Sequence, residues 1–281
     1  MSRKVRIACC QVSPAVGDKA GNLARVREAV SRAAEQGADV VVLPELANCG
    51  YVFTDRVELR AEAEPVDGQT VLGWAKLASE NDLVIVAGFA EAASDGSVYN
   101  SAVLIDSSGV RGCYRKAHLW DREKEFFTPG SDLPPVVSTP VGRIGMMICY
   151  DLGFPEWVRA MALDGAELLC APVNWPLSPR PEGERPSEIV KVQANAIVNR
   201  MFVAVADRAG TERGQEWLGG SVIVDADGFP LTGSIFGNEG TVWAEVDLAE
   251  ARDKRLSDRN DVHADRRAEL YPAARPGSGA K

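Results

Sequence analysis

Histidine and cysteine are scarce in this sequence of 281 residues. It contains two histidines, His118 and His263, and six cysteines, none of which forms a Cys-x-x-Cys pair. Such a set leaves little material for a structural zinc site, and we expect no metal or other cofactor. Cysteines this sparse also argue against a disulfide scaffold and favour a reducing, cytoplasmic setting.

Long apolar runs and blocks of like charge are missing as well. No run approaches the roughly 20 residues that a membrane-spanning helix requires, and the opening residues lack the pattern of a signal peptide. Basic residues number 31 and acidic residues 40, which gives a net charge of −9 with neither sign concentrated. Because phosphate binding needs a basic face, we expect neither nucleic acid nor a membrane surface as a partner.

What the sequence does contain is typical of an α/β protein. Hydrophobic residues make up 46% of it, which is enough for a substantial core. An apolar strand over 5–12, an amphipathic helix beginning near Asn22 and a second apolar strand over 38–43 predict a parallel β-helix-β unit. A similar unit runs from 142 to 172. We therefore expect helices outside two packed sheets.

The sequence shows no linker that would divide the chain. We predict a single domain over residues 1–272. The last residues, 273–281, are small, polar or charged for the most part and are predicted to be a disordered tail.

Three polar or reactive residues stand beside apolar strands. Glu45 and Cys149 each follow one, and Lys116 lies near the end of another. In α/β folds ligands bind at such strand ends, and a carboxylate, an ammonium and a thiol together would supply a base, an oxyanion partner and a nucleophile. Taken singly, each has a structural interpretation: a turn cap, a solvated arm and a small apolar filler. Spacing alone leaves both interpretations open.

The sequence around these residues is more specific. It reads P-E-L at 44–46, Y-R-K-A-H-L at 114–119 and I-C-Y-D-L-G-F-P-E at 148–156. In this order the segments resemble the three signatures of the nitrilase superfamily of carbon-nitrogen hydrolases, and in particular its amidase-like branch. The segments at 126–130 and 219–225 add to a similarity that extends from about Val5 to Tyr271.

The resemblance implies a four-layer αββα sandwich, commonly dimerised through its helices. It also implies a catalytic triad of Glu45, Lys116 and Cys149. A second glutamate of the family precedes the F-T-P-G segment, and Glu123 matches its spacing, with Glu125 as a near competitor.

The chemistry that follows is cysteine-dependent hydrolysis. Glu45 would accept the proton of Cys149, whose sulfur adds to the substrate carbonyl. Lys116 and the main-chain N–H of Tyr150 would stabilise the oxyanion, and water would then release the thioester. A Cys/His mechanism through His118 is the nearest rival, since this residue would share a strand face with Lys116.

Substrate-binding candidates follow from position, and they are Tyr51, Trp120, Phe154, Asn174 and Trp175. Cys49, in the loop after Glu45, is a further residue expected near the pocket, although a packing role is the stronger interpretation. Residues 150–154 contain neither the arginine that binds a substrate carboxylate in some branches nor the Trp-Glu pair common in true nitrilases. Arg180, Arg185 and Arg208 are the alternative cations.

These features favour a small neutral aliphatic amide as substrate, with ammonia and an acid as products. The alternative is hydrolysis of an N-carbamoyl compound, either a carbamoylputrescine or a carbamoyl amino acid, and ω-amidase or nitrilase activity fits the sequence less well. A noncatalytic binding protein, or a sensor of oxidants through Cys149, represents a different class. The partners expected are therefore a small-molecule amide and a second copy of the chain.

Overall fold

The computed structural model of the protein describes residues 4–233 and 235–271. The tail predicted over 273–281 lies outside the described residues.

Six α-helices and fifteen strands are present in the described ranges. The helices are α1 (Lys19–Glu35), α2 (Arg56–Glu62), α3 (Gln69–Asn81), α4 (Glu123–Phe126), α5 (Pro155–Leu163) and α6 (Ser187–Asn199). The strands are β1 (Val5–Gln11), β2 (Val40–Val42), β3 (Val84–Ala92), β4 (Val98–Asp106), β5 (Gly109–Arg115), β6 (Val136–Thr139), β7 (Gly142–Met146), β8 (Leu168–Pro172), β9 (Phe202–Ala206), β10 (Thr211–Glu212), β11 (Gln215–Glu216), β12 (Val222–Val224), β13 (Gly240–Val246), β14 (Arg255–Ser257) and β15 (Asn260–Asp261).

Two of the sheets build the core. The larger has the strand order β13-β1-β2-β3-β4-β5, and the smaller has the order β12-β9-β8-β7-β6. Strands β1, β2 and β3 pair in parallel, as do β7, β8 and β9, whereas the remaining pairs in these sheets are antiparallel. The two predicted β-helix-β units are therefore present, one in each sheet.

Helices and sheets form four layers because successive side chains of each strand point to opposite faces of its sheet. Ala8 and Cys10 of β1 pack with residues of α1 and α3, whereas Ile7 and Cys9 of the same strand pack with apolar residues of the second sheet. Successive side chains of a strand point to opposite faces, so one face meets helices and the other meets a sheet. Helices α5 and α6 pack in the same cluster as the second sheet. This arrangement confirms the predicted αββα sandwich.

The first helix starts earlier than its sequence pattern indicated. It begins at Lys19, where the carboxylate of Asp18 accepts a hydrogen bond from Gly21 N–H at 3.0 Å. Asn22 is instead a buried residue of the helix, and its Nδ2 donates to Ala15 O at 2.8 Å. The prediction that this helix begins near Asn22 was wrong, because Asp18 is as good a cap as asparagine and lies one turn earlier.

Among residues 4–233 and 235–271, no helix has the length and apolarity needed to cross a membrane.

Candidate active site

Glu45 lies beyond the carboxyl end of β2 and is completely buried. Its main-chain N–H donates to Val173 O of the other sheet at 3.4 Å. Its Oε1 accepts from Lys116 Nζ at 2.6 Å and from Asn100 Nδ2 at 2.7 Å. Its Oε2 has no hydrogen-bond partner among the described residues. One carboxylate oxygen is therefore held, and the other can accept a proton.

Lys116 follows β5 and is also completely buried. Its Nζ lies between two carboxylates, 2.6 Å from Glu45 Oε1 and 2.7 Å from Glu123 Oε1. Its main-chain N–H donates to Asn100 O, and its carbonyl accepts from Gly130 N–H, both at 2.8 Å. A Cβ on Gly130 would lie 2.2 Å from a main-chain oxygen of β5. The glycine of the F-T-P-G segment thus allows that segment to pack against the strand carrying the lysine.

Glu123 opens the short helix α4, and its side chain points inward. Besides Lys116, its Oε1 accepts from Tyr51 OH at 2.6 Å, and its Oε2 accepts from Trp120 N–H at 2.9 Å. Glu125 is exposed and pairs with a surface arginine at 3.3 Å. Of the two glutamates that the sequence left open, Glu123 is the one beside the lysine.

Cys149 follows β7 and starts a short 3₁₀ helix, Cys149–Gly153. Its φ is +48°, in the left-handed region that a residue with a Cβ seldom adopts. The residue is 8% exposed, and its Sγ lies 4.0 Å from Asn174 O. Such a turn places the thiol at the end of the strand, and Tyr150 with its main-chain N–H directly follows.

Asn174 connects the predicted base and the predicted nucleophile. It lies two residues beyond β8, and its Nδ2 donates to the main-chain carbonyl of Glu45 at 2.9 Å. Its own main-chain carbonyl is the group that Cys149 Sγ approaches. The next N–H, that of Trp175, donates to the buried carboxylate of Asp207 at 3.0 Å. Burial raises the pKa of Asp207 to about 7, against the effect of the N–H groups that donate to it.

The surroundings of Cys149 favour its neutral thiol. Burial, together with the carboxylate of Glu45, raises the pKa of Cys149 well above its usual value, although Lys116 opposes the shift. Burial also raises the pKa of Glu45 to about 7, again against the Lys116 ammonium. Burial disfavours the charged lysine, but Glu123 and Glu45 together raise the pKa of Lys116 well above normal. A carboxyl group that titrates near neutral pH is well matched to both taking up and returning a proton.

A cavity of about 190 Å³ lies next to the site, and its lining does not include Glu45, Lys116 or Cys149 themselves but includes side chains that contact them. Six aromatic side chains line it: Tyr51, Phe53, Trp120, Phe126, Phe127 and Trp217. Its buried polar residues are Glu123, which contacts Lys116, and Asn174, which contacts Cys149. Asp121 and Arg122 are exposed members of the lining. The cavity therefore leads from solvent toward the lysine and the thiol.

Three of the five predicted pocket residues line this cavity, namely Tyr51, Trp120 and Asn174. Phe154 and Trp175 are not part of its lining. Trp175 is 5% exposed and buried in the core, because successive residues of an extended segment point to opposite sides and Asn174 takes the cavity side.

Phe154 belongs instead to a cluster around His118. The two rings stack with centroids 3.7 Å apart, and Trp157 meets the imidazole edge-on at 5.1 Å. His118 Nδ1 lies 2.7 Å from Asp151 Oδ1. These contacts give His118 a structural place beside the turn that carries Cys149, and they do not support the rival Cys/His mechanism.

Arg208 does not offer a cation to a substrate. It is 1% exposed, and its NH1 lies 2.9 Å from Glu212 Oε2. Arg180 and Arg185 are exposed and lie outside the lining of the aromatic cavity. Cys49 is completely buried, in agreement with its packing role and not with exposure near the pocket.

Sequence analysis missed Asn100 and Trp217. Asn100 lies in β4, a strand in which every residue is buried, and its amide holds Glu45. A polar amide in a largely apolar strand was the available signal, because a buried amide needs hydrogen-bond partners. Trp217 lies two residues before the segment at 219–225 and far along the chain from the three signatures, and it had no such signal of its own. In the described parts of the chain, no three His, Cys, Asp or Glu side chains are grouped so as to hold a metal ion.

Comparison with known proteins shows the family. The family model described as carbon-nitrogen hydrolase matches residues 6–256. A nitrilase from Pyrococcus abyssi is 37% identical over 271 residues, covering 95% of this chain and 99% of its own. An N-carbamoylputrescine amidase from Solanum lycopersicum is 32% identical over 288 residues, covering 96% and 94%. A mutant amidase from Nesterenkonia sp. AN1, which carries the acetamide moiety of fluoroacetamide on its active-site cysteine, superposes with a TM-score of 0.78, at 29% identity and 95% coverage of each chain.

Proposed function

Because this chain belongs to the carbon-nitrogen hydrolase family, whose members act on non-peptide C–N bonds, we propose that it hydrolyses a small aliphatic amide to a carboxylic acid and ammonia. The observation that carries this proposal is the buried Lys116 ammonium, which binds the carboxylates of Glu45 and Glu123 and leaves Glu45 Oε2 open. That oxygen is the acceptor for the thiol proton of Cys149.

The reaction proceeds in two halves. Glu45 takes the proton of Cys149 as the sulfur bonds to the carbonyl carbon, and the Lys116 ammonium with the N–H of Tyr150 stabilises the oxyanion. Glu45 returns the proton to the nitrogen and the C–N bond breaks. Ammonia departs, and the acyl group remains on Cys149 as a thioester. Water then adds to the thioester as Glu45 takes its proton. The C–S bond breaks, the acid leaves, and the sulfur regains the proton.

The size and lining of the cavity support a short, uncharged acyl group. A volume of about 190 Å³ is below the roughly 300–1,000 Å³ of pockets that take drug-sized ligands. Six of its thirteen lining residues are aromatic, which favours burial of an alkyl chain. The guanidinium of Arg122 lies 3.3 Å from Glu125 and over the ring of Phe126, so it is already engaged.

The direct test is a substrate panel with ammonia detection. We expect release of ammonia from acetamide, propionamide and butyramide by the wild type and none from Cys149→Ala. Brief incubation with a substrate should also add the mass of the acyl group to Cys149. Activity confined to nitriles, or no acyl adduct with rapid sulfenic acid formation, would overturn the proposal.

One observation favours a second candidate, an N-carbamoyl amine. Asp121 lines the cavity at its exposed end, where a carboxylate would pair with an ammonium at the far end of such a substrate. Its hydrolysis would release carbon dioxide as well as ammonia, so the products separate the two candidates.

The family resemblance implies a dimer formed through helices, and we propose that α5 and α6 are the helices through which two copies associate. A second cleft, distinct from the aromatic cavity, lies between α5, the end of α6 and residues 256–271. Several exposed apolar side chains line it: Leu163, Ile197, Val198, Leu256 and Tyr271. An exposed apolar patch of this kind is typical of a protein interface. Light scattering should give the mass of a dimer for the wild type, and a wild-type monomer at assay concentration would contradict this proposal. The cytoplasmic location stays a prediction from the sequence.

A further inference from the structure

A buried ion pair lies behind the cavity and takes no part in the reaction described above. Arg208 follows β9, Glu212 is in β10, and they are 1% and 6% exposed. Arg208 NH1 and Glu212 Oε2 are 2.9 Å apart. A buried pair is costly to desolvate, and simple packing would be served as well by apolar residues. What the pair holds in place is therefore informative.

Glu212 holds the main chain of the loop that carries Tyr51. Its Oε2 accepts from the N–H groups of Tyr51 and Val52, and its Oε1 accepts from Val16 N–H, each at 2.9 Å. The hydroxyl of the same tyrosine donates to Glu123 Oε1. Glu212 thus fixes at one end the residue whose other end contacts the partner of the catalytic lysine.

Arg208 supports the second aromatic wall. Its guanidinium carbon lies 4.8 Å from the ring centroid of Trp217, and its NH2 donates to Pro14 O at 2.5 Å. The Trp217 ring meets the ring of Tyr51 edge-on, with centroids 5.2 Å apart. Both rings line the substrate cavity. The cation and the carboxylate therefore each hold one of two touching wall residues.

We propose that Arg208 and Glu212 are positioning residues that set which acyl chain the enzyme accepts, by fixing Tyr51 and Trp217 against each other. This inference rests on the proposed amidase function. Neither residue lines the cavity or touches the thiol among the described contacts. Their effect is on substrate binding and passes through the aromatic wall, whereas the chemistry of Cys149 stays as it is.

The test compares KM and kcat for acetamide, propionamide and butyramide. Arg208→Lys keeps the charge but loses the planar group that covers the Trp217 ring. We expect it to shift the ratio of kcat/KM for butyramide to that for acetamide by about tenfold, mainly through KM. Arg255→Lys is the matched control, because Arg255 is exposed and pairs with Asp253 on the surface, and it should leave the ratio unchanged. Equal loss of kcat for all three amides, with KM unchanged, would overturn the proposal.

A second variant removes both charges so that neither is left buried and alone. In the double variant Arg208→Met/Glu212→Gln, amide hydrogen exchange should become faster at Val16, Tyr51 and Val52. In the wild type, the N–H groups of these three residues donate hydrogen bonds to the Glu212 carboxylate. This readout requires no substrate. If the wild type hydrolyses no amide, the proposed function fails while exchange still tests the positioning role, and unchanged exchange at all three amides would overturn that role.

Discussion

Gly88 of β3 lies directly against the main chain of Glu45. A Cβ built on this glycine would be 2.5 Å from Glu45 Cα and 2.7 Å from the N of Leu46. The same close approach is held by two hydrogen bonds, from Gly88 N–H to Pro44 O at 3.1 Å and from Ala47 N–H to Gly88 O at 2.8 Å. Strand β3 therefore fixes the position of the Glu45 main chain, and this close contact is possible only with a glycine at position 88.

Gly88→Ala should displace Glu45 and lower kcat by about a hundredfold, because a shift of about 1 Å in a catalytic group has such an effect. The measurement is kcat on a substrate amide, with circular dichroism to confirm folding. Gly73→Ala is the matched control, since a Cβ there meets nothing within 4 Å on the exposed face of α3. It should keep full activity and raise the free energy of unfolding by about 0.5–1 kcal/mol. Wild-type kcat in folded Gly88→Ala would contradict this account.

Cys149→Ala should abolish turnover and leave the fold intact, because the sulfur supplies the only bond to the substrate in the proposed reaction. Ammonia release and thermal unfolding are measured together. Cys113→Ala, which removes an exposed thiol, provides the comparison and should behave as wild type. Substantial hydrolysis by folded Cys149→Ala would refute the assignment of the nucleophile.

Glu123→Gln should lower kcat by roughly a hundredfold, since it removes a charge beside the Lys116 ammonium. Glu125→Gln makes the same chemical change on the exposed side of the same helix and should stay within about twofold of wild type. Steady-state kinetics on one amide decides the matter. Similar losses in the two variants would mean that the buried contact has no special role.

The pH dependence of kcat/KM should report Glu45. Its pKa is raised from 4.5 to about 7, and the reaction needs its ionised form to accept the thiol proton. The rate should therefore rise with pH and reach half of its plateau near pH 7, not near pH 4.5. The measurement is kcat/KM between about pH 5 and pH 9, which reports groups of the free enzyme. A rate already at its plateau at the acid end would rule out Glu45 as a base with this pKa.

Strand ends and local motifs made the centre of the site predictable. Apolar runs stop at Glu45 and Cys149 and close to Lys116, which marks these residues as candidates, and the resemblance of the surrounding segments to the nitrilase superfamily implied that they form one site. The αββα architecture followed from the same resemblance. The sequence favoured Glu123 by its spacing but left Glu125 open, because the choice depends on which side of α4 faces the lysine.

Side-chain direction and contacts between distant elements account for the differences at the cavity. Phe154 follows the turn that begins at Cys149, and Trp175 follows Asn174, but neither side chain lines the cavity. Asn100 and Trp217 approach through pairing of strands and loops that are distant along the chain. Periodicity describes faces within one element, whereas such contacts between elements depend on how the elements pack.

The reacting groups are divided between two separate sheets. Glu45 and Lys116 come from the six-stranded sheet and Cys149 and Asn174 from the five-stranded one. Activity therefore depends on how the two sheets are aligned. A small slide of one sheet against the other would separate the Cys149 thiol from the Glu45 carboxylate while every strand stayed paired within its own sheet. In increasing urea, ammonia release should accordingly decline before the far-ultraviolet circular dichroism signal does.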